Sequence, residues 1–248
     1  MTDRPHALDL FCGAGGAAMG LHRAGFDVTG IDNRPQPRYP FRFIQGDALK
    51  PPVRLEDFDL IWASPPCQHY SWASGKARNQ GKVYPDLIGA TRELLLGSGL
   101  FYTIENVVPA KRHLHQPFTL CGIAFALGVV RHRVFEANFL VMVPAHINCR
   151  GAVAEQRAVP VYGNGVASCY YGNPAWRGAR ALTVTGHDGD SLNFQVGEWR
   201  KAMGIDWMTK KELTQAIPPA YSEHIGRYAM MALGHEPGGW DRAERGER

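Results

Sequence analysis

Cysteine is scarce in this chain: five among 248 residues, an odd number at irregular spacing. That excludes a disulfide framework and suits a reducing cytoplasm, where a free reactive thiol survives. Long apolar runs are also missing. None approaches the ~20 residues needed to cross a bilayer, so no membrane association is expected. The opening MTDRPHALDL has no signal-peptide layout, because its short apolar stretch runs straight into a strand pattern. Acids are missing from two long stretches. Residues 60–85 contain none but carry Lys76, Arg78 and Lys82. Residues 106–135 contain none but carry Lys111, Arg112, Arg131 and Arg133. The formal net charge is only +4, so this uneven distribution says more than the total. It fits solvated loops or loops that meet phosphate, and charge alone does not choose between them.

What is present is an alternation of element patterns. LDLF (8–11) reads as a buried strand, CGAGG as a glycine turn and AAMGLHRAG as an amphipathic helix. FDVTGID (26–32), FRFIQGD (41–47) and DLIWA (59–63) read as strands, the last stopped by Pro65 and Pro66. Residues 86–96 are helical in pattern, FYTIENV (101–107) is a strand, and RHRVFEANF (131–139) is another. Strands alternating with helices predict a doubly wound, mostly parallel α/β sheet covered on both faces. From residue 143 to 197 the composition shifts to Gly, Pro, Tyr and Asn, which predicts a small irregular or β-rich insertion. Short helices follow in WRKAMG and KKELTQA. A longer one follows in IPPAYSEHIGRYAMMALG, where Pro218 and Pro219 fall at its start and a missing N–H is harmless. The expected organisation is a catalytic and cofactor-binding domain at 1–142, the insertion at 143–197, helices returning to the catalytic domain at 198–234, and a tail at 235–248.

The glycine turn sits between a strand and a helix, where backbone approaches a ligand closely and free N–H groups point outward. Its spacing departs from the dinucleotide pattern G-x-G-x-x-G: Gly13, Gly15 and Gly16 are followed by Ala17, Ala18 and Met19. Asp32 ends the next strand, a place suited to two ribose hydroxyls. Asp47 ends the third, within reach of an adenine amino group. Together they favour a nucleoside cofactor. The lone Cys67 after two prolines is either small core filler or a nucleophile on a stiff loop.

DLFCGAGG, PPCQHYS, ENV, RHRVF and IPPAYSEHIG occur in that order from Asp9 to Gly226. In this the chain resembles the DNA cytosine carbon-5 methyltransferase family, in its compact phage and bacterial form. The chemistry stands on its own physical logic. Carbon 5 of cytosine is a poor nucleophile, and a thiolate added to carbon 6 makes it enamine-like and able to attack a methyl sulfonium. Cysteine suits the task because its thiolate is strongly nucleophilic, although little is ionised at neutral pH without help. A carboxylic acid at ring nitrogen 3 takes up the charge that develops, and an arginine holds the keto oxygen.

The resemblance implies Cys67 as nucleophile, Glu105 as the acid at nitrogen 3, and Arg133 at the keto oxygen with Arg131 in support. It implies S-adenosylmethionine as cofactor, held by Phe11, Gly13, Gly15, Gly16, Asp32, Asp47, Pro66 and Gln215. DNA would be met by Gln68, Ser71, Lys76 and Arg78, with the target base flipped out of the stack. The chain departs from the family pattern twice. Val129 stands where many relatives carry glutamine, and Thr214-Gln215-Ala216-Ile217-Pro218-Pro219 where Gly-Asn usually precedes the small residue, the aliphatic and the prolines. The expected protein is a cytoplasmic monomer acting on DNA, with a cognate restriction enzyme as a possible partner. Rival readings are the same chemistry on transfer RNA, a DNA-binding module without catalysis, and a nicotinamide oxidoreductase disfavoured by the glycine spacing. His146, Cys149, Cys169 and His187 form an imaginable zinc set, but their spacing matches no usual finger, so no metal is expected.

Overall fold

The computed structural model describes residues 4–71, 74–145, 149 and 196–235. Seven strands form one sheet: β1 (His6–Leu10), β2 (Asp27–Asp32), β3 (Arg42–Gln45), β4 (Leu60–Ala63), β5 (Phe101–Asn106), β6 (Phe118–Leu120) and β7 (Arg133–Ala137). Their order across the sheet is β3-β2-β1-β4-β5-β7-β6. The first five are parallel, and β7 runs antiparallel to both β5 and β6. The helices are α1 (Gly16–Ala24), α2 (Gly75–Asn79), α3 (Ile88–Ser98), α4 (Val196–Met203), α5 (Lys210–Gln215) and α6 (Pro219–Ala232).

Strand alternation sorts the core into two layers. Ala7, Leu60, Trp62 and Phe135 face one side, where α1 and α6 supply Ala17, Leu21, Tyr221 and Ile225. Leu8, Leu10, Ile61, Ala63 and Ile104 face the other, against Ile88 and Leu95 of α3. Strands buried on both faces read as continuous apolar runs, which is why LDL and LIWA stand out in the sequence. Two features depart from the strand-by-strand reading. β6 is only three residues long and is invisible to periodicity. The RHRVFEANF strand begins at Arg133, two residues later than its pattern suggests, because Arg131 turns into the protein to bond the Thr214 carbonyl. The 143–197 insertion lies, apart from 143–145, Cys149, Val196 and Gly197, outside the described residues, as do residues 236–248 of the tail.

α6 lies directly on α1. At Gly20 the backbones come so close that a Cβ would sit 2.1 Å from both the Pro219 carbonyl oxygen and Ser222 Oγ. α6 therefore docks on the helix that follows the glycine turn. The same turn is tied from the other side by Trp207, whose indole N–H donates to the Ala14 carbonyl at 2.8 Å.

This contact yields a stability prediction. Gly20→Ala should destabilise the protein by about 1–3 kcal/mol through overpacking against backbone that cannot give way. Gly89→Ala on α3 meets nothing within 4 Å. It should be neutral or stabilising by up to about 1 kcal/mol, because alanine loses less backbone entropy than glycine. Urea unfolding midpoints of the two variants check the contrast.

Candidate active site

All five parallel strands deliver their C-terminal ends to one edge of the sheet. In such folds ligands bind in the crevice beyond those ends. The turn after β1 enters with Phe11 at φ +58°, Gly13 at +50° and Gly15 at +84°. A Cβ on Gly13 would meet nothing within 4 Å, so the turn leaves open space in front of its backbone. The Gly13 N–H donates to Asp32 Oδ2 at 3.1 Å, and the Arg34 N–H donates to Oδ1 at 3.0 Å. These bonds fix the carboxylate at the end of β2. Asp47, exposed beyond β3, accepts the Leu49 N–H on Oδ1 at 2.9 Å. A glycine cradle with open space and two oriented carboxylates at neighbouring strand ends suits a nucleoside. The residues present therefore fit S-adenosylmethionine at this edge.

Beneath the cradle, Asp9 is fully buried. Burial first, and then the Asp32 charge, hold its carboxyl well above the usual range, which favours the neutral acid. Cys12, with its thiol pushed up by burial and by Asp9, is core filler.

The second half of the site grows from β4 and β5. After Ala63 the chain passes Ser64 and Pro65 into a single 3-10 turn, Cys67–His69. Asn106 at the end of β5 donates its side-chain amide to the Pro65 carbonyl at 2.9 Å, which holds the proline loop against the sheet. Arg78 from α2 donates one guanidinium nitrogen to the carbonyls of Gln68 and Ser71 at 2.7 and 2.8 Å. The Ser71 N–H bonds back to the Cys67 carbonyl at 2.9 Å. The loop bearing Cys67 is thus clamped at both ends. Gln68 and Pro66 are exposed on it. Lys76 lies on α2, but its side chain is outside the described residues.

Glu105 is buried on β5 and faces Arg133, whose Nε lies 3.0 Å from Glu105 Oε1. Because β7 is antiparallel, its first residue reaches the edge where β5 ends, with Asn106 opposite Val134. An N-terminal strand residue thereby joins a site otherwise built from C-terminal strand ends. Burial raises the Glu105 carboxyl above its ordinary value, opposed by Arg133, Arg131 and a hydrogen bond from Ser64. Burial likewise raises the Cys67 thiol, which Arg133 pulls down and Glu105 pushes up. Those mutual influences place thiol, acid and guanidinium in one electrostatic unit. Arg131 stands behind it, buried, donating to the Thr214 carbonyl at 2.8 Å, while the Tyr221 hydroxyl donates to the Arg131 carbonyl at 2.5 Å.

Residues 6–116 match the family model described as C-5 cytosine-specific DNA methylase. The Type II methyltransferase M.HgiDI of Herpetosiphon aurantiacus is 32% identical over 88 residues, 31% of this chain and 28% of that relative. The chain thus aligns with under a third of that relative's length. Three solved structures share the fold at lower identity. A candidate DNA modification methyltransferase encoded within an E. coli prophage superposes with TM-score 0.58 at 15% identity, over 93% of this chain and 100% of the other. The S. pombe Dnmt2 methyltransferase gives 0.57 at 14%, over 93% and 99%, and Entamoeba histolytica EhMeth gives 0.56 at 12%, over 94% and 99%.

Sequence reasoning missed Asn106, Ser64, Thr214 and Tyr221 as positioning residues. Asn106 lay in plain view inside IENV, but nothing in the pattern announces that its amide reaches Pro65. Gln215 ends α5 exposed. That helix is anchored by a capping box, Thr209 with Glu212, and Glu212 also takes a two-pronged bond from Arg38 at 2.8 and 3.0 Å. Val129, at the position where relatives carry glutamine, is fully buried with Trp199 and Met203.

The Arg38–Glu212 pair gives a pH prediction. Burial raises the Glu212 carboxyl, but its bonds from Arg38 and Thr209 outweigh this and bring it from 4.5 to about 2. A folded-state value below the unfolded one stabilises above the unfolded value and is lost as pH falls toward the folded one. The stability gap between wild type and Glu212→Gln should be full at neutral pH and shrink from pH 4.5 down to about 2. Urea unfolding at stepped pH measures it, and a gap independent of pH would mean that the clamp is not ionic.

Proposed function

We propose that the protein transfers a methyl group to carbon 5 of cytosine in DNA. The observation that carries this is the convergence of Cys67 and Arg133 on the buried Glu105 in one electrostatic unit, at the same sheet edge as the Asp32 and Asp47 cradle. A binding module has no use for a nucleophile poised beside a buried acid. S-adenosylmethionine, when bound, supplies a methyl group on a sulfonium. Asp32 would hold its ribose, Asp47 its adenine amino group, and Phe11 would lie against the adenine. Pro66 and Gln215 would line the same site.

The remaining steps belong to the chain. Cys67 gives up its proton and its sulfur bonds to carbon 6. The ring electrons move toward nitrogen 3, where the raised Glu105 carboxyl donates a proton. Arg133 holds the keto oxygen, and Arg131 stiffens the strand start behind it. Carbon 5 takes the methyl, then loses its hydrogen as a proton to solvent; nitrogen 3 returns its proton to Glu105, and the sulfur leaves carbon 6 with the electron pair and regains from solvent the proton it had given up. A cytosine inside a duplex cannot reach Cys67, so the base is flipped out. Gln68 and Ser71 on the Cys67 loop, and Lys76 on α2, would meet the opened strand. Arg78 would serve there too, through the carbonyls it already braces.

Cys67→Ala should abolish methyl transfer while leaving S-adenosylmethionine binding nearly intact. The wild type should form a denaturant-stable adduct with duplex DNA containing 5-fluorocytosine, because fluorine blocks the final elimination. Glu105→Gln should slow turnover more than it weakens cofactor binding, and Asp32→Ala should do the reverse. Methylating enzyme that gives no adduct would overturn the covalent route. Labelled methyl appearing on transfer RNA and not on duplex DNA would move the substrate.

Target choice would fall to the insertion. Each good base contact discriminates by ~1–3 kcal/mol, and about fifty residues rich in Gly, Pro and Asn supply few such contacts. The expected site is on the order of two to four base pairs, with off-site methylation at low salt as the acid-free stretches grip phosphate. Methylation mapping of DNA from cells expressing the protein reads this directly. A strict site of six or more pairs would contradict it.

A further inference from the structure

On the far side of β7 from Glu105, three potential metal ligands converge that the methyl-transfer chemistry does not use. Cys121 follows β6, His132 precedes β7, and Cys149 stands where the insertion begins. Their ligand atoms all lie within 4.8 Å of one another. Cys149 Sγ is 3.8 Å from His132 Nε2, and the two thiols share a hydrogen bond. Cys121 and Cys149 are buried together with Val130. The zinc set imaginable from sequence named Cys149 but paired it with His146, Cys169 and His187, which lie outside the described residues. The partners it meets here come from two distant segments, so no local spacing could reveal them.

A tetrahedral zinc with bonds of about 2.3 Å to sulfur and about 2.0 Å to nitrogen separates those ligands by roughly 3.6 Å, and two sulfurs by roughly 3.8 Å. The Cys149–His132 separation of 3.8 Å matches this, and the other pairs lie within 4.8 Å. Two thiolates and an imidazole at such distances select zinc over magnesium or calcium, which take oxygen. We infer that Cys121, His132 and Cys149 form a zinc-binding site that fastens the start of the insertion to the β6–β7 edge of the sheet. Its role is structural: it ties down the backbone of His132, which lies between Arg131 and Arg133. Binding displaces one proton from each thiol, leaves two thiolates on the metal, and leaves the fourth position to water or a further side chain. Burial, chiefly, pushes the Cys121 thiol up to about 11. Because zinc displaces the thiol protons, its affinity should rise with pH.

The test is metal content by plasma mass spectrometry on full-length protein purified from zinc-supplemented medium without chelator. About one zinc per chain is expected in the wild type and in Cys12→Ser, falling below about a tenth in Cys121→Ser and in Cys149→Ser. To make the test independent of variant folding, wild type stripped of metal is also titrated with cobalt(II). A thiolate-to-cobalt charge-transfer band that saturates at one equivalent supports the site, as does a melting temperature raised by zinc and not by magnesium. Zinc retained in full by both folded serine variants would overturn it. So would wild type that binds neither metal, or a Cys121–Cys149 disulfide found by mass mapping under non-reducing conditions.

Discussion

The ion pair between Glu105 and Arg133 is the constraint on which the β4–β5 end of the candidate site depends. A buried carboxylate without a partner is costly, and removing one member of such a pair typically costs about 3–5 kcal/mol. Here the partner is supplied by the first residue of the one antiparallel strand beside β5. A parallel β7 would have presented its last residue at that edge, and Arg133 would lie at the opposite end of the sheet. The reversal of one strand thus brings a cation to the edge where the parallel strands end. Arg131 and Tyr221 brace that strand start, so the pair is supported by the C-terminal helices as well as by the sheet.

The same pair leaves Cys67 in a divided field. Arg133 favours its thiolate, while burial and Glu105 oppose it. A nucleophile that is mostly protonated at rest is protected from wasteful oxidation and alkylation.

Much of the fold was legible because fully buried parallel strands announce themselves as apolar runs. β1, β4 and β5 fall within a residue or two of where LDLF, DLIWA and FYTIENV put them. The short β6 carries no period, and the late start of β7 came from a long-range bond between Arg131 and Thr214 that a local pattern cannot contain. In the site, the residues at strand ends could be named from their motifs. The groups that position them could not: Asn106 reaching Pro65, Arg78 bracing two carbonyls, Trp207 holding Ala14. Each joins segments far apart in sequence or depends on a loop's conformation. Cys121, His132 and Cys149 were unreadable as a group for the same reason.

The docking of α6 on α1 also has a temporal side. The ribosome releases the glycine turn and α1 well before α6: their apolar partner surface, with Tyr221 and Ile225, emerges some two hundred residues later. During translation the nascent chain therefore carries an uncovered helix, and Gly20 waits for a backbone that does not yet exist. Trp207 reaches the Ala14 carbonyl only slightly earlier than α6 itself. A partly made chain can have its thiol, acid and both aspartates in place and still lack a closed cofactor cradle. Closure of the cradle would then wait for α6.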